Sequence, residues 1–328
     1  LKIVETGSFP SRYKRYSVTA IAVFLILFGM YGKFSWYPLR WSEAFFSNDN
    51  FVSSLSLNPV LFFAQTFKNR TIEADPETAR NAYRRMANYL GVENRDRGNL
   101  NYMRTEGIGN PEMPGVNIVI VVLESFAYYK TGLSGNPLSP TPYFDQLANK
   151  GMLFDRFYVP HGGTARSIFT LVTGLPDIEL NETSSRNPLI VDQHTIINEF
   201  FEYKKLYFLG GSANWGQIRG LLTRNIENLQ IYEEGSYSSL RIDAWGITDL
   251  DLMSEAVDVM DQQTQPFIAL VQTSGNHSPY TLPDHTEGFE KVKHPDSAVE
   301  PFGFVSLEAL NSFRFMDLSI GKFIAKAK

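Results

Sequence analysis

The sequence has no cysteine, and this absence limits the chemistry that the protein can use. Without cysteine there is no disulfide, no thiolate zinc site and no cysteine nucleophile. The sequence also has no excess of basic residues: it contains 30 Lys and Arg and 35 Asp and Glu, for a formal net charge of −5. We therefore expect no nucleic-acid partner. A hydrophobic content of 43% with 14% aromatics is typical of a folded protein with a membrane segment rather than a disordered chain.

Charge is absent from residues 16–32, which are rich in Ala, Val, Ile, Leu and Phe. Seventeen residues is close to the lower limit for a helix that spans a bilayer. Lys33 can extend its amine to the interface, and Trp36 and Tyr37 suit the aromatic belt of a membrane helix. We therefore predict a transmembrane helix over residues 16–38.

The flanking charges predict the orientation of this helix. Arg12, Lys14 and Arg15 precede the apolar run, so the positive-inside rule places residues 1–15 in the cytoplasm and the rest of the chain outside. Two alternatives remain open. A cleaved signal peptide would need a small-residue cleavage site, which residues 31–36 do not offer convincingly. A stretch this short also fits a buried core helix.

Residues 39–114 have a helical, amphipathic pattern with no catalytic signature. Asp75 followed by Pro76 predicts a capped helix with proline at its first position. Residues 107–115 are rich in Gly and Pro and are interpreted as a linker. The pattern therefore predicts a helical juxtamembrane segment that leads into a catalytic domain at residues 115–328.

The catalytic domain alternates strand and helix patterns. Residues 116–123 form a continuous apolar, β-branched run, which is typical of a strand covered on both faces. The alternation predicts an α/β domain with a largely parallel central sheet. The predicted strands are 116–123, 152–158, 206–209 and 267–272, and the predicted helices are 142–150, 164–172, 195–203, 249–262 and 306–328.

A carboxylate and a hydroxyl are predicted to converge at one edge of this sheet. Glu124 ends the first strand, and Thr164 follows the pair Gly162 and Gly163 at the start of a helix. Open α/β sheets place their chemistry at the carboxyl ends of strands, so the pair predicts a metal-activated nucleophile. The alternatives are that Thr164 only caps its helix, and that Glu124 is an exposed strand-end or capping carboxylate.

The chain resembles the lipoteichoic acid synthase family, a membrane-bound branch of the alkaline phosphatase and sulfatase superfamily. The resemblance rests on residues 116–176, and also on segments 41–47 (WSEAFFS), 57–60 (LNPV) and 273–280 (TSGNHSPY) in the expected order. It implies an alkaline phosphatase/sulfatase-like fold. A sulfatase of the usual type is disfavoured, because there is no cysteine to mature into formylglycine.

The resemblance also implies site residues. Thr164 would be the nucleophile, and Glu124 and Thr164 would bind one divalent metal ion. The family favours manganese, although oxygen ligands also suit magnesium and a further histidine would suit zinc. His277 would contact the substrate phosphate or the leaving oxygen. The alternative is that His277 only caps its own loop.

Trp215 and Arg219 are implied with a looser match. In the family, the loop that carries Trp215 and Arg219 holds the headgroup, and the planar fork of arginine suits phosphate. This chain departs from the family at Ser212, where an acidic residue is common. His161 and Arg166 flank the nucleophile and are candidates for contact with the phosphoryl group, or are only polar residues at a helix start.

The implied function is transfer of a phosphoglycerol-type headgroup to an acceptor hydroxyl through a phosphothreonine intermediate. The donor would be a phosphatidylglycerol-like phospholipid of the bilayer, and the acceptor a glycan or glycerol phosphate. The implied location is the bacterial cytoplasmic membrane, with an extracytoplasmic or periplasmic catalytic domain. Three alternatives stay open: a phosphodiesterase or other hydrolase of the superfamily, a phosphoethanolamine transferase, and an inactive membrane-tethered binding protein.

The ends of the sequence predict a fragment. The chain begins with Leu1 rather than methionine and ends within a predicted helix. The resembling family supplies its last metal ligands from an Asp-His pair further along the chain. We therefore expect these ligands beyond Lys328.

Overall fold

The computed structural model describes residues 12–34, 39–47, 49–69, 75–104, 115–179, 182–286 and 288–327. The helices are α1 (Arg12–Tyr31), α2 (Asn50–Ser56), α3 (Pro59–Lys68), α4 (Pro76–Tyr89), α5 (Pro142–Lys150), α6 (Thr164–Thr173), α7 (Ile218–Asn225), α8 (Asp249–Met260), α9 (Asp296–Val299) and α10 (Leu307–Lys326). The strands are β1 (Ile118–Val122), β2 (Lys204–Leu209), β3 (Leu229–Tyr232) and β4 (Phe267–Gln272).

The four strands form one parallel sheet in the order β1-β4-β2-β3. In the register of the sheet, Gln272 pairs with Val122 on one side and with Leu209 on the other. Three strands therefore end in the same row. The loops that follow them must meet at one edge, which is called the rim below.

Helices cover both faces of the two central strands. Alternate side chains of β2 point to opposite sides, as the period of a strand requires. Tyr207 joins a core with α6 and α7, whereas Phe208 joins a second core with α8 and α10. All six residues of β4 are buried. The prediction of an α/β domain with a parallel sheet is confirmed.

The first strand differs from the expectation in one respect. Among the described strands β1 pairs with β4 alone, and Val119 is 38% exposed. Full cover on both faces was therefore wrong for this strand. A continuous apolar run does not distinguish an edge strand from a central one, because both use the same β-branched residues.

Most other predicted elements are present. The predicted helix 142–150 is α5, the predicted strand 267–272 is β4, and the predicted helix 164–172 extends by one residue in α6. The helix with a proline start is α4, and Asp75 caps it by accepting from the backbone N–H of Glu77 at 3.0 Å.

Two predicted elements are wrong. Residues 152–158 form no strand, and Met152, Phe154 and Tyr158 are largely exposed. Residues 195–203 contain only a short 3-10 helix, Ile196–Glu199, which ends where Phe200 leaves helical geometry and packs its ring against Tyr203.

The amino-terminal part begins with α1, which is exposed along its length. Among the described residues it is the one helix long and apolar enough to cross a membrane. The proposed interfacial residues Trp36 and Tyr37, and nearly all of the linker at 107–115, lie outside the described residues. The domain boundaries drawn from the sequence remain predictions.

Candidate active site

The rim brings the two principal candidates into direct contact. Glu124 follows β1 by two residues, and Thr164 is the first residue of α6. The Thr164 hydroxyl Oγ1 donates a hydrogen bond to Glu124 Oε2 at 2.7 Å. Forty residues of chain separate these side chains, so the contact is a product of the fold.

The surroundings of Glu124 fix its carboxylate in place. Ser125 Oγ donates to Oε1 at 2.7 Å, so each carboxylate oxygen accepts one hydroxyl. The backbone N–H of Glu124 donates to Thr273 Oγ1 at 2.8 Å, and Asn276 Nδ2 donates to the carbonyl oxygen at 3.0 Å. Ser125 also has a φ of 52°, a conformation that is uncommon outside glycine and often found at functional sites.

The start of α6 distinguishes between the two interpretations of Thr164. Gly163 occupies the cap position, with no side-chain cap hydrogen bond, and Thr164 is already helical. Its hydroxyl is used by Glu124. The geometry therefore does not favour a simple capping role. The hydroxyl also lies at the positive end of the helix dipole, where a developing negative charge is stabilised.

A cavity opens beside this pair. Two tryptophans and a histidine form one wall: the Trp215 and Trp245 rings are 6.0 Å apart and nearly perpendicular, and the Trp245 and His277 rings are 4.1 Å apart. Trp245 Nε1 donates to the carbonyl oxygen of Ser278 at 2.8 Å, which ties the histidine loop to this wall. The cavity is lined by Glu124, Thr164, Leu209, Gly211, Ser212, Trp215, Ala244, Trp245, Gln272, Ser274 and His277.

The structure does not bring the two candidate arginines to the cavity lining. Arg166 donates to the carbonyl oxygens of Glu179 and Glu182 and lies 3.6 Å from a carboxylate oxygen of Asp177. It therefore braces the loop after α6. His161, also considered beside the nucleophile, accepts from the N–H of Gly163 at 3.0 Å through Nδ1.

Arg219 is also bound to groups of the protein, on the other side of the rim. Its guanidinium forms an ion pair with Glu233, and its Nε donates to Asn214 Oδ1 at 2.9 Å. A substrate phosphate would have to compete with both acceptors. The substrate contacts proposed for Arg166 and Arg219 have no support from this geometry and stay predictions.

Sequence reasoning missed two residues of the rim. Trp245 is one. The adjacent glycine, Gly246, could have indicated a tight turn there: it has a φ of 109° and lies so close to Gly210 that a side chain would not fit. Asp249, at the start of α8, is the other. The sequence pattern places Asp249 at the start of an amphipathic helix and does not indicate a role at the rim.

Asp249 is a buried carboxylate that holds the histidine loop. Its Oδ1 accepts the N–H groups of Ser274 and Gly275, each at 3.0 Å, whereas its buried Oδ2 has no hydrogen-bond partner among the described residues. Burial raises the pKa of Asp249 to about 6, the two amide hydrogen bonds oppose this shift, and the negative charge of Glu124 adds to it.

The donor set at the rim fits one hard divalent cation only in part. Glu124 and Thr164 offer oxygen ligands 2.7 Å apart, which is the chemistry that magnesium and manganese prefer. The part of the chain that the structure describes contains no group of three or more His, Cys, Asp or Glu placed to hold a metal ion. The described residues thus offer two ligands at the rim where three or four are usual.

Comparisons with known proteins agree with the fold and with the motifs. The chain is 24% identical over 273 residues to lipoteichoic acid synthase 1 of Bacillus subtilis, which covers 78% of this chain and 40% of that protein. It is 25% identical over 228 residues to lipoteichoic acid synthase of Staphylococcus saprophyticus, covering 65% and 33%. The chain thus spans less than half of the length of these relatives.

Solved structures show the same fold. A protein of the alkaline phosphatase superfamily from Vibrio parahaemolyticus matches with a TM-score of 0.57 and 22% identity, covering 77% of this chain and 59% of that one. The lipoteichoic acid synthase LtaP of Listeria monocytogenes matches with a TM-score of 0.52 and 20% identity, covering 65% and 52%.

The family model described as Sulfatase matches residues 116–328. This range begins two residues before β1, contains the whole described sheet and includes every candidate site residue. The superfamily resemblance drawn from the motifs is confirmed. Because the match extends over well more than half of its length, the chain belongs to the sulfatase family.

Proposed function

We propose that this protein transfers a phosphoglycerol-type headgroup from a membrane phospholipid to an acceptor hydroxyl. The observation that carries the proposal is the 2.7 Å hydrogen bond from Thr164 Oγ1 to Glu124 Oε2 at the rim of the sheet. A hydroxyl is a weak nucleophile at neutral pH and requires activation. Similarity to the lipoteichoic acid synthases supports phosphoglycerol as the transferred group.

In the first half of the reaction, Thr164 Oγ1 attacks the phosphorus and its proton leaves toward Glu124 Oε2. The bond from phosphorus to the diacylglycerol oxygen breaks, and that oxygen takes up a proton, for which His277 on the cavity wall is a candidate donor. In the second half, an acceptor hydroxyl attacks the phosphothreonine diester and Thr164 leaves with a proton. No water is consumed.

The surroundings of the pair support this chemistry. A Cβ at Gly162 would meet no atom of the described residues within 4 Å, so this position leaves the approach to the start of α6 open, where backbone N–H groups could donate to phosphoryl oxygens. Trp215 and Trp245 offer an apolar wall for the glycerol carbons. A divalent cation held by Glu124 and Thr164, most simply manganese with magnesium or zinc as alternatives, would stabilise the alkoxide and the phosphoryl charge.

The membrane helix gives the lipid substrate access to the site. The apolar α1 would cross the bacterial cytoplasmic membrane with Arg12, Lys14 and Arg15 inside, which places the catalytic domain outside. The donor would then be a phosphatidylglycerol-like lipid of the same bilayer, and the acceptor a glycan or glycerol phosphate chain. Anchoring raises the effective concentration of the lipid at the rim.

The test follows diacylglycerol release from fluorescent phosphatidylglycerol in micelles with manganese. Thr164→Ala should abolish release, a loss of at least ~10⁴-fold, while the melting temperature stays close to that of the unsubstituted protein. Thr164→Ser keeps a hydroxyl and should retain part of the activity. Mass spectrometry of the protein after acid quench should show glycerol phosphate on Thr164.

The outcomes separate the alternatives. Free glycerol phosphate in place of a transferred product would identify a hydrolase. Release only from phosphatidylethanolamine would identify a phosphoethanolamine transferase. No release from either lipid, in a folded protein that has been shown to bind metal tightly, would support the inactive binding protein.

A further inference from the structure

The helices α2 and α3 carry an apolar surface that nothing in the described chain covers. The sequence has no Asp, Glu, Lys or Arg from residue 50 to residue 67. Five large side chains of these helices are between 55% and 72% exposed. They are called the outer face below: Phe51, Leu55, Val60, Phe63 and Phe67.

Their spacing places them on one side of each helix. Phe51 and Leu55 are four residues apart in α2, and Val60, Phe63 and Phe67 follow the three- and four-residue spacing of one side of α3. The Phe63 and Phe67 rings stack with centroids 6.1 Å apart. Large apolar side chains that are exposed together mark an interaction site in a soluble domain.

The opposite side of the same helices is fixed to the catalytic domain. Leu57 and Phe62 pack against the core that contains α6 and α7. Ser56 Oγ donates to the carbonyl oxygen of Ala44 at 3.2 Å, and Lys68 Nζ lies 2.6 Å from a carboxylate oxygen of Glu182. The outer face is therefore held outward by contacts on its reverse side.

The outer face is also joined to the end of α1. The N–H of Leu39 donates to the carbonyl oxygen of Tyr31, the last residue of α1, at 2.8 Å. Lys33 Nζ donates to both carboxylate oxygens of Glu43, at 2.6 and 2.7 Å. Glu43 belongs to the 3-10 helix Trp41–Ala44, and Ser56 of α2 bonds to its last residue. Side-chain contacts thus connect the membrane helix candidate to α2.

We infer that the outer face lies in the boundary between headgroups and acyl chains of the bilayer that α1 crosses. This inference rests on the membrane anchoring in the proposed function and adds a second contact with the same leaflet. An interfacial helix places an apolar face in the boundary region and keeps its polar groups on the other side.

The chemistry of the face favours lipid over a protein partner. Protein interfaces carry about one hydrogen bond for each 100–200 Å², yet the outer face offers only aliphatic and phenyl groups. The first charged residues beyond it are Asp49 and Lys68, one at each end. A face that is apolar within and charged at its ends fits the acyl boundary and the headgroups beside it.

The absence of cysteine allows a direct test by site-directed spin labelling. Single cysteines would replace Phe63 on the outer face, Leu25 in α1 and Gln265, an exposed residue before β4 at the opposite edge of the sheet from the rim. The labelled 328-residue chains are reconstituted in vesicles of phosphatidylcholine and phosphatidylglycerol. Power saturation then compares access to oxygen, which enters lipid, with access to a water-soluble nickel chelate. Leu55→Cys gives an independent second position on the outer face.

The inference expects labels at positions 25, 55 and 63 to be accessible to oxygen and at least ~10-fold less accessible to nickel than the label at 265. Nickel access at 55 and 63, with protection at 25, would overturn the inference and leave the membrane anchoring intact. Nickel access at 25 would overturn both. Spin–spin broadening between labels at 63 would show a second copy of the chain on this face instead of lipid.

Discussion

Glu124 and Asp249 are two carboxylates at the same rim, and they have opposite surroundings. Glu124 lines the cavity, and each of its carboxylate oxygens accepts a hydroxyl hydrogen bond. Asp249 is fully buried, and one of its oxygens accepts two backbone amides. Glu124, which faces the cavity, accepts from hydroxyl groups, which can exchange a proton with it. Asp249, which is buried, accepts from backbone amides, which are fixed in place by the chain.

This difference indicates separate roles for the two carboxylates: Glu124 for the reaction and Asp249 for the position of the loop. Hydroxyl partners can rotate and leave room for a ligand, so Glu124 can take part in a reaction. The amides of Ser274 and Gly275 hold Asp249 in one position, and through it they fix the loop that carries His277. Substitutions at the two carboxylates should therefore separate loss of activity from loss of stability.

Of the two carboxylates, Glu124 should have the larger effect on activity, which Glu124→Gln tests. Glutamine has the same shape and can still accept from Thr164, but it cannot take a proton or bind a cation with a charge. We expect headgroup transfer to fall roughly 10³-fold, with the melting temperature nearly unchanged. Glu290→Gln, an exposed glutamate outside the cavity lining, is the matched control. Equal activity of both variants would remove Glu124 from the mechanism.

The largest expected effect on stability is that of Asp249→Ala. It leaves two backbone amides, one buried and one part-buried, without an acceptor, which should lower the free energy of unfolding by about 2–4 kcal/mol. Asp249→Asn keeps an oxygen acceptor and should lose less. Urea denaturation at pH 5 measures both, since the native carboxyl is largely protonated there. An alanine variant as stable as the unsubstituted protein would show that the amides find water instead.

The stability of the protein should depend on pH through the titration of Asp249. The pKa of Asp249 is raised to about 6 in the folded protein, above the value of about 3.9 for an unfolded chain. The folded state therefore binds the proton more tightly, and stability is lost as the pH rises from about 4 through 6. Burial raises the pKa of Asp317 to about 6 as well, so the effect of Asp249 must be isolated by substitution.

Asp249→Asn provides that isolation. Its free energy of unfolding, relative to the unsubstituted protein, should rise by up to about 3 kcal/mol between pH 4 and pH 7. The Asp317 contribution cancels in this difference, because both proteins contain it. A difference that does not vary with pH would mean that Asp249 is ionised throughout the range.

The smallest expected effect is that of Trp245→Phe on the cavity wall. Phenylalanine keeps a ring beside His277 but loses the Nε1 donation to Ser278, a hydrogen bond worth about 1 kcal/mol. We expect KM for the lipid to rise less than about tenfold and kcat to stay within about twofold. A fall in kcat with unchanged KM would instead give the tryptophan a part in the chemical step.

Local sequence was sufficient for the centre of the sheet. The buried run Phe267–Gln272 and the helix Pro142–Lys150 have the predicted bounds, because apolar runs and a Pro start with a Gly stop are local signals. The strand expected at 152–158 was wrong because a strand depends on a partner, which local alternation does not reveal. The helix expected over 195–203 was reduced to one turn by tertiary packing of Phe200 and Tyr203.

The site was predictable to a similar degree. Glu124 follows from the rule that parallel strands end at one edge, whereas Thr164 was singled out by the Gly-Gly helix start and the family resemblance, and the structure joins the two side chains by a hydrogen bond. Contacts that depend on the orientation of a side chain were harder to predict from the sequence. The sequence does not show that Arg219 turns to Glu233, nor that Asp249 turns inward to the amides of the histidine loop.

The fit of Trp41 against Gly220 has a consequence for the proposed encounter with a lipid. A Cβ on Gly220 would stand 2.6 Å from the indole of Trp41, so the 3-10 helix that carries Trp41 is seated directly on α7. Together with the ion pair of Lys33 and Glu43, this contact connects the end of α1 to the catalytic domain through packed side chains. With α1 in a bilayer, as proposed above, these contacts would restrict the height and tilt of the cavity above the membrane. The rate of encounter would then follow the number of lipids per unit area that diffuse laterally past the cavity.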